Sequence, residues 1–314
     1  MSGSICILFL LFNSQTVLAQ LRDPEERPPN PIVKPHRLVP RPAAPTRPIN
    51  RTNRTTSSGN TSSPPRAPAE TTKDRSTTAD SSQPTTSRGP TETVEEQIEE
   101  ALEQGNKARN AGQYSEAEQD YHEVLRLNDK EARGYLGLGN AYLAQKKYAE
   151  AVEAYQQAVE IDHDLVGAYF GLGDAHRQLK RYDEAIQDYL ETVKLKPDFA
   201  HAYNNLGTTY AALGRYDDAI QALLEAVRLK PDFAAAYYNL GYAYSPLSRT
   251  NEAIGAYKKA IELKPDFVEA YFNLGTIYID LKNKESAMEQ YEKLKTVNPQ
   301  MASKLLQEIQ SRDF

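Results

Sequence analysis

Residues 200–233 read AHAYNNLGTTYAALGRYDDAIQALLEAVRLKPDF, and this stretch decides the fold. Tyr203, Leu206, Gly207 and Tyr210 recur at helical spacing, Gly214 breaks the pattern, and Ala219, Leu223, Ala226 and Val227 form a second helical stripe. The segment therefore predicts two short helices joined by a turn. Just before it, Lys196-Pro197-Asp198-Phe199 closes the preceding stretch, and the same four letters return at Lys230 to Phe233 and Lys264 to Phe267. Proline cannot continue a helix, and the aspartate after it is placed to cap the next one.

Working outward, the sequence matches itself when shifted by 34 residues. Gly105, Gly139, Gly173, Gly207, Gly241 and Gly275 keep that interval, as do Ala117, Ala151, Ala185, Ala219, Ala253 and Ala287. Six units follow without insertion: 98–131, 132–165, 166–199, 200–233, 234–267 and 268–301. Glycine costs helix propensity, so its return at the eighth position of every unit calls for a steric reason. Small side chains at the eighth and twentieth positions let two helices approach closely, with tyrosine and leucine filling the space around them.

The pattern resembles the tetratricopeptide repeat family, with Tyr135, Tyr169, Tyr203, Tyr237 and Tyr271 where that family often has tryptophan. The resemblance covers residues 98–301. It implies an all-α fold: antiparallel helix pairs stacked into a right-handed superhelical solenoid, with a concave groove lined mainly by the first helix of each pair. Such a stack needs finished ends. Lys304 to Ile309 is amphipathic and resembles the family's solubilising helix, so 302–314 reads as a C-terminal capping helix after a repeat domain at 93–301. The first unit carries Ala101, Gln104 and Ala108 in place of Tyr, Leu and Tyr, which suits a polar end, and Thr93 with Glu96 forms a candidate capping box. Pro246 falls in the last turn of a first helix, and Thr250 and Lys284 replace the tyrosines of other units. The fifth and sixth units should therefore exchange amide hydrogen fastest among the inner repeats; uniform protection would contradict this.

The N-terminal part differs in composition. Ile5 to Phe12 is an apolar run of eight, too short to span a membrane as a helix, and Val17-Leu18-Ala19 before Gln20 fits a signal-peptidase site. The reading is a signal peptide at 1–19, export to the periplasm or outside the cell, and no integral membrane segment after cleavage. An uncleaved hydrophobic N-terminus, with the chain remaining cytoplasmic, is the alternative. Cys6 is the single cysteine, so a cleaved chain has no disulfide, thiol nucleophile or thiolate metal site. Residues 20–92 are rich in proline and arginine, then in serine and threonine, and read as a disordered tether with sequons at Asn50, Asn53 and Asn60. Residues 21–90, with twelve basic and six acidic side chains, carry +6, leaving −12 for the rest of a chain whose net charge is −6. That balance does not suggest a nucleic-acid partner.

The resemblance also places binding residues. Groove-facing positions in the family include the second, fifth, sixth, ninth, twelfth and thirteenth of the unit. Asn205, Asn239 and Asn273 stand at the sixth, with Asn204, Tyr238 and Phe272 at the fifth and His201 and Tyr242 nearby. An amide carries donor and acceptor, so such a row could pair with a peptide backbone while aromatic rings anchor side chains. Gly137 and Gly171 occupy the sixth position earlier and cannot continue the row. No histidine pair has metal-ligand spacing, and once signal, tether and repeats are set aside nothing large enough for a catalytic domain remains. The expectation is a non-catalytic scaffold with no cofactor and no metal. It would bind a protein or peptide in the groove outside the cytosol, or else serve as a structural subunit of an envelope or secretion assembly through its convex and edge surfaces. Self-association by end-to-end stacking stays open.

Overall fold

The computed structural model describes residues 92–312. The expected signal peptide, the expected tether with its sequons up to residue 91, and the last two residues lie outside them. Among the described residues the chain forms thirteen α-helices, one short 3-10 turn and no strand. They are α1 Val94–Asn110, α2 Tyr114–Leu127, α3 Ala132–Ala144, α4 Tyr148–Ile161, α5 Val166–Gln178, α6 Tyr182–Leu195 and α7 Ala200–Ala212. There follow α8 Tyr216–Leu229, α9 Ala234–Tyr244, α10 Thr250–Leu263, α11 Val268–Asp280, α12 Lys284–Val297 and α13 Pro299–Gln310. Each odd-numbered helix from α1 to α11 packs against its successor as a hairpin, and it also touches the first helices of neighbouring hairpins.

The repeated small residues sit where the helices meet. All six alanines of the twentieth position are fully buried. A Cβ added to Gly139 would lie 2.5 Å from the Tyr155 ring, and one on Gly173 would lie 2.6 Å from Tyr189. The glycine is therefore the floor on which an aromatic ring of the partner helix rests. Two units differ: Gly207 meets Leu223, and Gly275 meets Leu305 of α13 and not Tyr291, so there the terminal helix supplies the covering side chain. Leu305 and Ile309 are buried, and burying each such side chain stabilises by about 1.5–3 kcal/mol.

Both ends of the domain are finished by local chemistry. Thr93 Oγ1 accepts from the Glu96 N–H while Glu96 returns a carboxylate oxygen to the Thr93 N–H at 2.8 Å, the expected capping box. The C-terminal helix begins three residues earlier than expected, because Asn298 ends α12 and caps α13 through Met301 N–H. Pro246 stops α9 at Tyr244, two residues short of the other inner first helices, and the chain continues as the 3-10 turn Ser245–Leu247.

One capping expectation is corrected. Asp198, Asp232 and Asp266 are exposed and do not cap; Phe199, Phe233 and Phe267 occupy the N-cap position and make no side-chain cap bond. Burial of each phenylalanine between hairpins decides the local geometry, and the lysine of the same motif lies over its ring, as Lys196 does over Phe199 at 5.2 Å.

Candidate functional site

The candidate residues lie on α7, α9 and α11, where the repeat register sets the sixth position of three consecutive units on corresponding faces. Tertiary packing then treats them unequally. Asn204 and Asn239 are 0% and 1% exposed, and Asn205, Tyr238 and His201 are also buried. Tyr242, Phe272 and Asn273 are half-buried and remain accessible. The accessible part of the set is thus its C-terminal third, and the expected continuous surface row of three amides is not formed.

The buried amides pair with one another instead. Asn239 Nδ2 donates to Asn204 Oδ1 at 2.9 Å, Asn204 Nδ2 to Asn205 Oδ1 at 3.2 Å, and Asn205 Nδ2 to Asp174 Oδ1 at 3.0 Å. Asp174 also accepts from the Tyr189 hydroxyl at 2.6 Å, and Arg177 lies beside both, with Nε donating to the Tyr189 hydroxyl. An ionised carboxylate can only accept, so it fixes the direction of every amide above it. Reversing Asn205 would set a carbonyl oxygen against Asp174. The chain of bonds ends at Asn239 Oδ1, which is buried without a hydrogen-bond partner, a state that costs about 1–3 kcal/mol.

Tyr121, Tyr155, Tyr189, Tyr257 and Tyr291 hold the twenty-fourth position of their units, and Leu223 holds it in the fourth. In the next unit along, Asn273 Nδ2 donates to the Tyr257 hydroxyl at 3.4 Å and to the Tyr238 hydroxyl at 3.2 Å. Asn239 faces a unit whose residue at that place has no hydroxyl. In the first two units the tyrosine hydroxyls donate to Asn106 and Asn140, both at 2.9 Å. There the sixth-position glycines have a purpose: a Cβ on Gly137 or Gly171 would come within 2.3 Å of the Tyr121 or Tyr155 ring.

Two polar pairs escaped the reading of the sequence. Asp174 was legible only as an acid at the ninth position, where Asn106 and Asn140 stand in earlier units. His176 replaces a tyrosine at the eleventh position and meets Asp188 at 2.7 Å between α5 and α6. Burial pushes the Asp188 carboxyl up, and His176 partly opposes this. His201, expected near the groove, lies between the rings of Phe199 and Phe233, with centroids at 6.1 and 4.8 Å. Burial, with Lys230 nearby, pushes its pKa down to about 4. Among the described residues no group of three or more His, Cys, Asp or Glu side chains is placed to hold a metal, and no helix is long and apolar enough to cross a membrane.

Comparison with known proteins gives a consistent result. A family model described as TPR repeat matches residues 139–180, 173–214, 207–245 and 247–282, and one described as tetratricopeptide repeat matches 268–301. A crystal structure of MamA protein is similar at 28% identity and a TM-score of 0.50, covering 56% of this chain and 96% of that one. YrrB, described as a TPR protein with an unusual peptide-binding site, aligns at 22% identity and a TM-score of 0.52 over 60% and 97% of the two chains. PilW, described as a widely conserved type IV pilus biogenesis factor, aligns at 18% identity and a TM-score of 0.60 over 67% and 98%. The last two likenesses speak to the fold alone. No curated protein gives a significant match.

Proposed function

The chain belongs to the tetratricopeptide repeat family, a family of protein-interaction scaffolds, and we propose that it holds an extended segment of another protein against α7, α9 and α11. The observation that carries this is the absence of Asp, Glu, Lys and Arg from all of α7 and α9, in a protein that is 25% charged. α1, by contrast, bears glutamate at 95, 96, 99, 100 and 103. A face of amides and tyrosines whose only carboxylates are Glu269 and Asp280 of α11 suits a polypeptide backbone with apolar side chains. The scaffold is non-catalytic on this reading and acts outside the cytosol, for which the apolar run and Ala19 are the support; a mature N-terminus at Gln20 by sequencing would bear that out, and an intact Met1 would refute it.

Because Asn204, Asn205 and Asn239 are buried, the accessible residues make the fairer test. A photo-crosslinking residue placed at Tyr242 or Phe272 of the full chain should capture one partner, and Phe272→Ala with Asn273→Ala should abolish that capture while the fold is kept. The second reading, a structural subunit of an envelope or secretion assembly, has Leu190 and Leu224 in its favour. They lie one repeat apart on α6 and α8, 38% and 46% exposed. Crosslinks from Leu224 and none from Tyr242 would favour it.

A further inference from the structure

We infer that the outer face of α6 and α8 is a second docking surface, for a basic segment of another protein whose arginine or lysine side chain enters a furrow beside Leu224. It is independent of the groove reading. Tyr203, Leu206 and Tyr210 lie about half a turn round α7 from Asn204, Asn205 and Thr208. With Asp218, Gln221, Ala222 and Glu225 of α8 they line a furrow of about 240 Å³. Leu206 and Ala222 make its floor apolar, the rings of Tyr203 and Tyr210 are half-buried, and its only charged lining residues are the two carboxylates. Such a furrow takes a long aliphatic stem with a positive head and repels a carboxylate. The chain already makes that contact with itself at one edge: the Arg215 guanidinium lies 4.4 Å from the Tyr210 ring centroid and reaches Asp218 at 2.7 Å.

The surroundings single out two consecutive units. In the third and fourth, the twenty-fifth position is leucine and the nineteenth and twenty-sixth are acids: Glu184, Leu190, Glu191 and Asp218, Leu224, Glu225. Elsewhere the twenty-fifth position holds His122, Gln156, Lys258 or Glu292. Leu190 and Leu224 are both exposed. Two exposed leucines fenced by carboxylates fit a segment that combines apolar and basic residues. Lys194 pairs with Glu191 and Arg228 with Glu225, but these are exposed pairs, loosely held, that yield to an arriving cation. A second copy packed here about a twofold axis would set carboxylate against carboxylate, so charge selects a basic partner.

The test needs no known partner. A displayed library of random peptides is panned on the full chain, and binders are sorted by their loss on the Leu190→Ser, Leu224→Ser double variant, whose fold circular dichroism checks. The sorted peptides should carry arginine or lysine beside aliphatic residues, and Glu225→Lys should weaken them by about tenfold. Lysine already stands at this position in the fifth unit, as Lys259, so the change is one the repeat accommodates. If Glu225→Lys nonetheless does not fold, Asp218→Lys carries the same expectation. Changing the peptide's key cation to glutamate should abolish binding to the native chain and restore it to Glu225→Lys, an exchange that a merely structural role for Glu225 would not produce. Phe272→Ala with Asn273→Ala should leave these peptides unaffected. Leucine-dependent binders that lack a basic residue or ignore both lysine variants overturn the inference, as does a library that yields no leucine-dependent binder. Loss of the same peptides with Phe272→Ala would make the two surfaces one and overturn it. A dimer of the full chain that Leu224→Ser dissolves would seat a second copy on this face and also overturn it.

Discussion

At the sixth position of the repeat, the second and third units and the last three solve one problem in opposite ways. Gly137 and Gly171 vacate the space and the fully packed rings of Tyr121 and Tyr155 fill it, so that interface is closed by shape. Asn205, Asn239 and Asn273 keep a side chain there and close the interface by lateral hydrogen bonds. Shape closes completely at each interface and asks nothing of the next. A directional chain of amides needs a terminus, and here it has one at Asp174 and none at Asn239. The early half is therefore closed by shape, and the later half keeps one buried acceptor without a partner.

The same substitution made in both halves should expose that difference most strongly. Gly171→Leu sets a branched side chain against the buried Tyr155 ring, where even a Cβ would be 2.3 Å from it, and should cost about 3 kcal/mol. Asn239→Leu removes the unpaired oxygen but leaves the buried Asn204 Oδ1 without its donor, so the two changes largely offset and it should cost about 1 kcal/mol. Urea midpoints of the two variants decide it; equal losses would mean that the two halves are packed alike.

The ninth position offers the next contrast. Asp174→Ala strands Asn205, the Tyr189 hydroxyl and the Arg177 guanidinium together, and should cost about 2–3 kcal/mol. Asn140→Ala removes one partner of Tyr155 at a half-buried site and should cost about 1 kcal/mol. A larger effect at Asn140 would show that the amide chain is not the special feature of the later half.

A smaller effect should appear at the second position, where His201 in the fourth unit aligns with Ala235 in the fifth. The folded chain keeps this imidazole neutral down to about pH 4, whereas an unfolded chain protonates it near 6.5. The unfolded state thus binds more protons between those values, so His201 contributes stability above pH 6.5 that is lost as pH falls toward 4. With allowance for partial solvent screening the loss should be of order 1–2 kcal/mol. His201→Ala should flatten this part of the pH–stability curve, and a slope that persists unchanged would place its origin elsewhere.

Much of this architecture was written in the sequence. The 34-residue interval, the capping box at Thr93 and the amphipathic last helix needed only periodicity and local capping rules. Burial of Asn204 and Asn239 was not legible, because register says which face of a helix a residue shares and not how closely the next hairpin presses upon it. Nor was the reason for Gly137, since its partner ring, Tyr121, belongs to the preceding unit and only stacking brings them together. The capping role expected of Asp198 failed for a related reason: a local hydrogen-bond rule was outweighed by the burial of Phe199 beside it.

The turn between paired helices gives the finest comparison, and sequence hinted at only part of it. The fifteenth residue of every unit has a positive φ: 79° at Gly112 and 76° at Gly214, but also 62° at Lys146, 61° at Lys180, 56° at Ser248 and 55° at Lys282. Two units meet this demand with glycine and four meet it with a side chain. A left-handed conformation costs an L-residue about 1–2 kcal/mol, partly offset by the backbone entropy glycine loses on folding. Lys180→Gly should therefore raise stability by about 0.5–1 kcal/mol, and Lys146→Gly and Lys282→Gly should add to it nearly independently, because the three turns belong to separate hairpins. Gly214→Ala should lower stability by a similar amount. Packing does not complicate that reverse test, since a Cβ at Gly214 meets nothing within 4 Å and only the backbone conformation is at stake. Should Gly214→Ala prove neutral, the turn itself must relax when the side chain arrives, and the lysine turns would then store no strain for glycine to release.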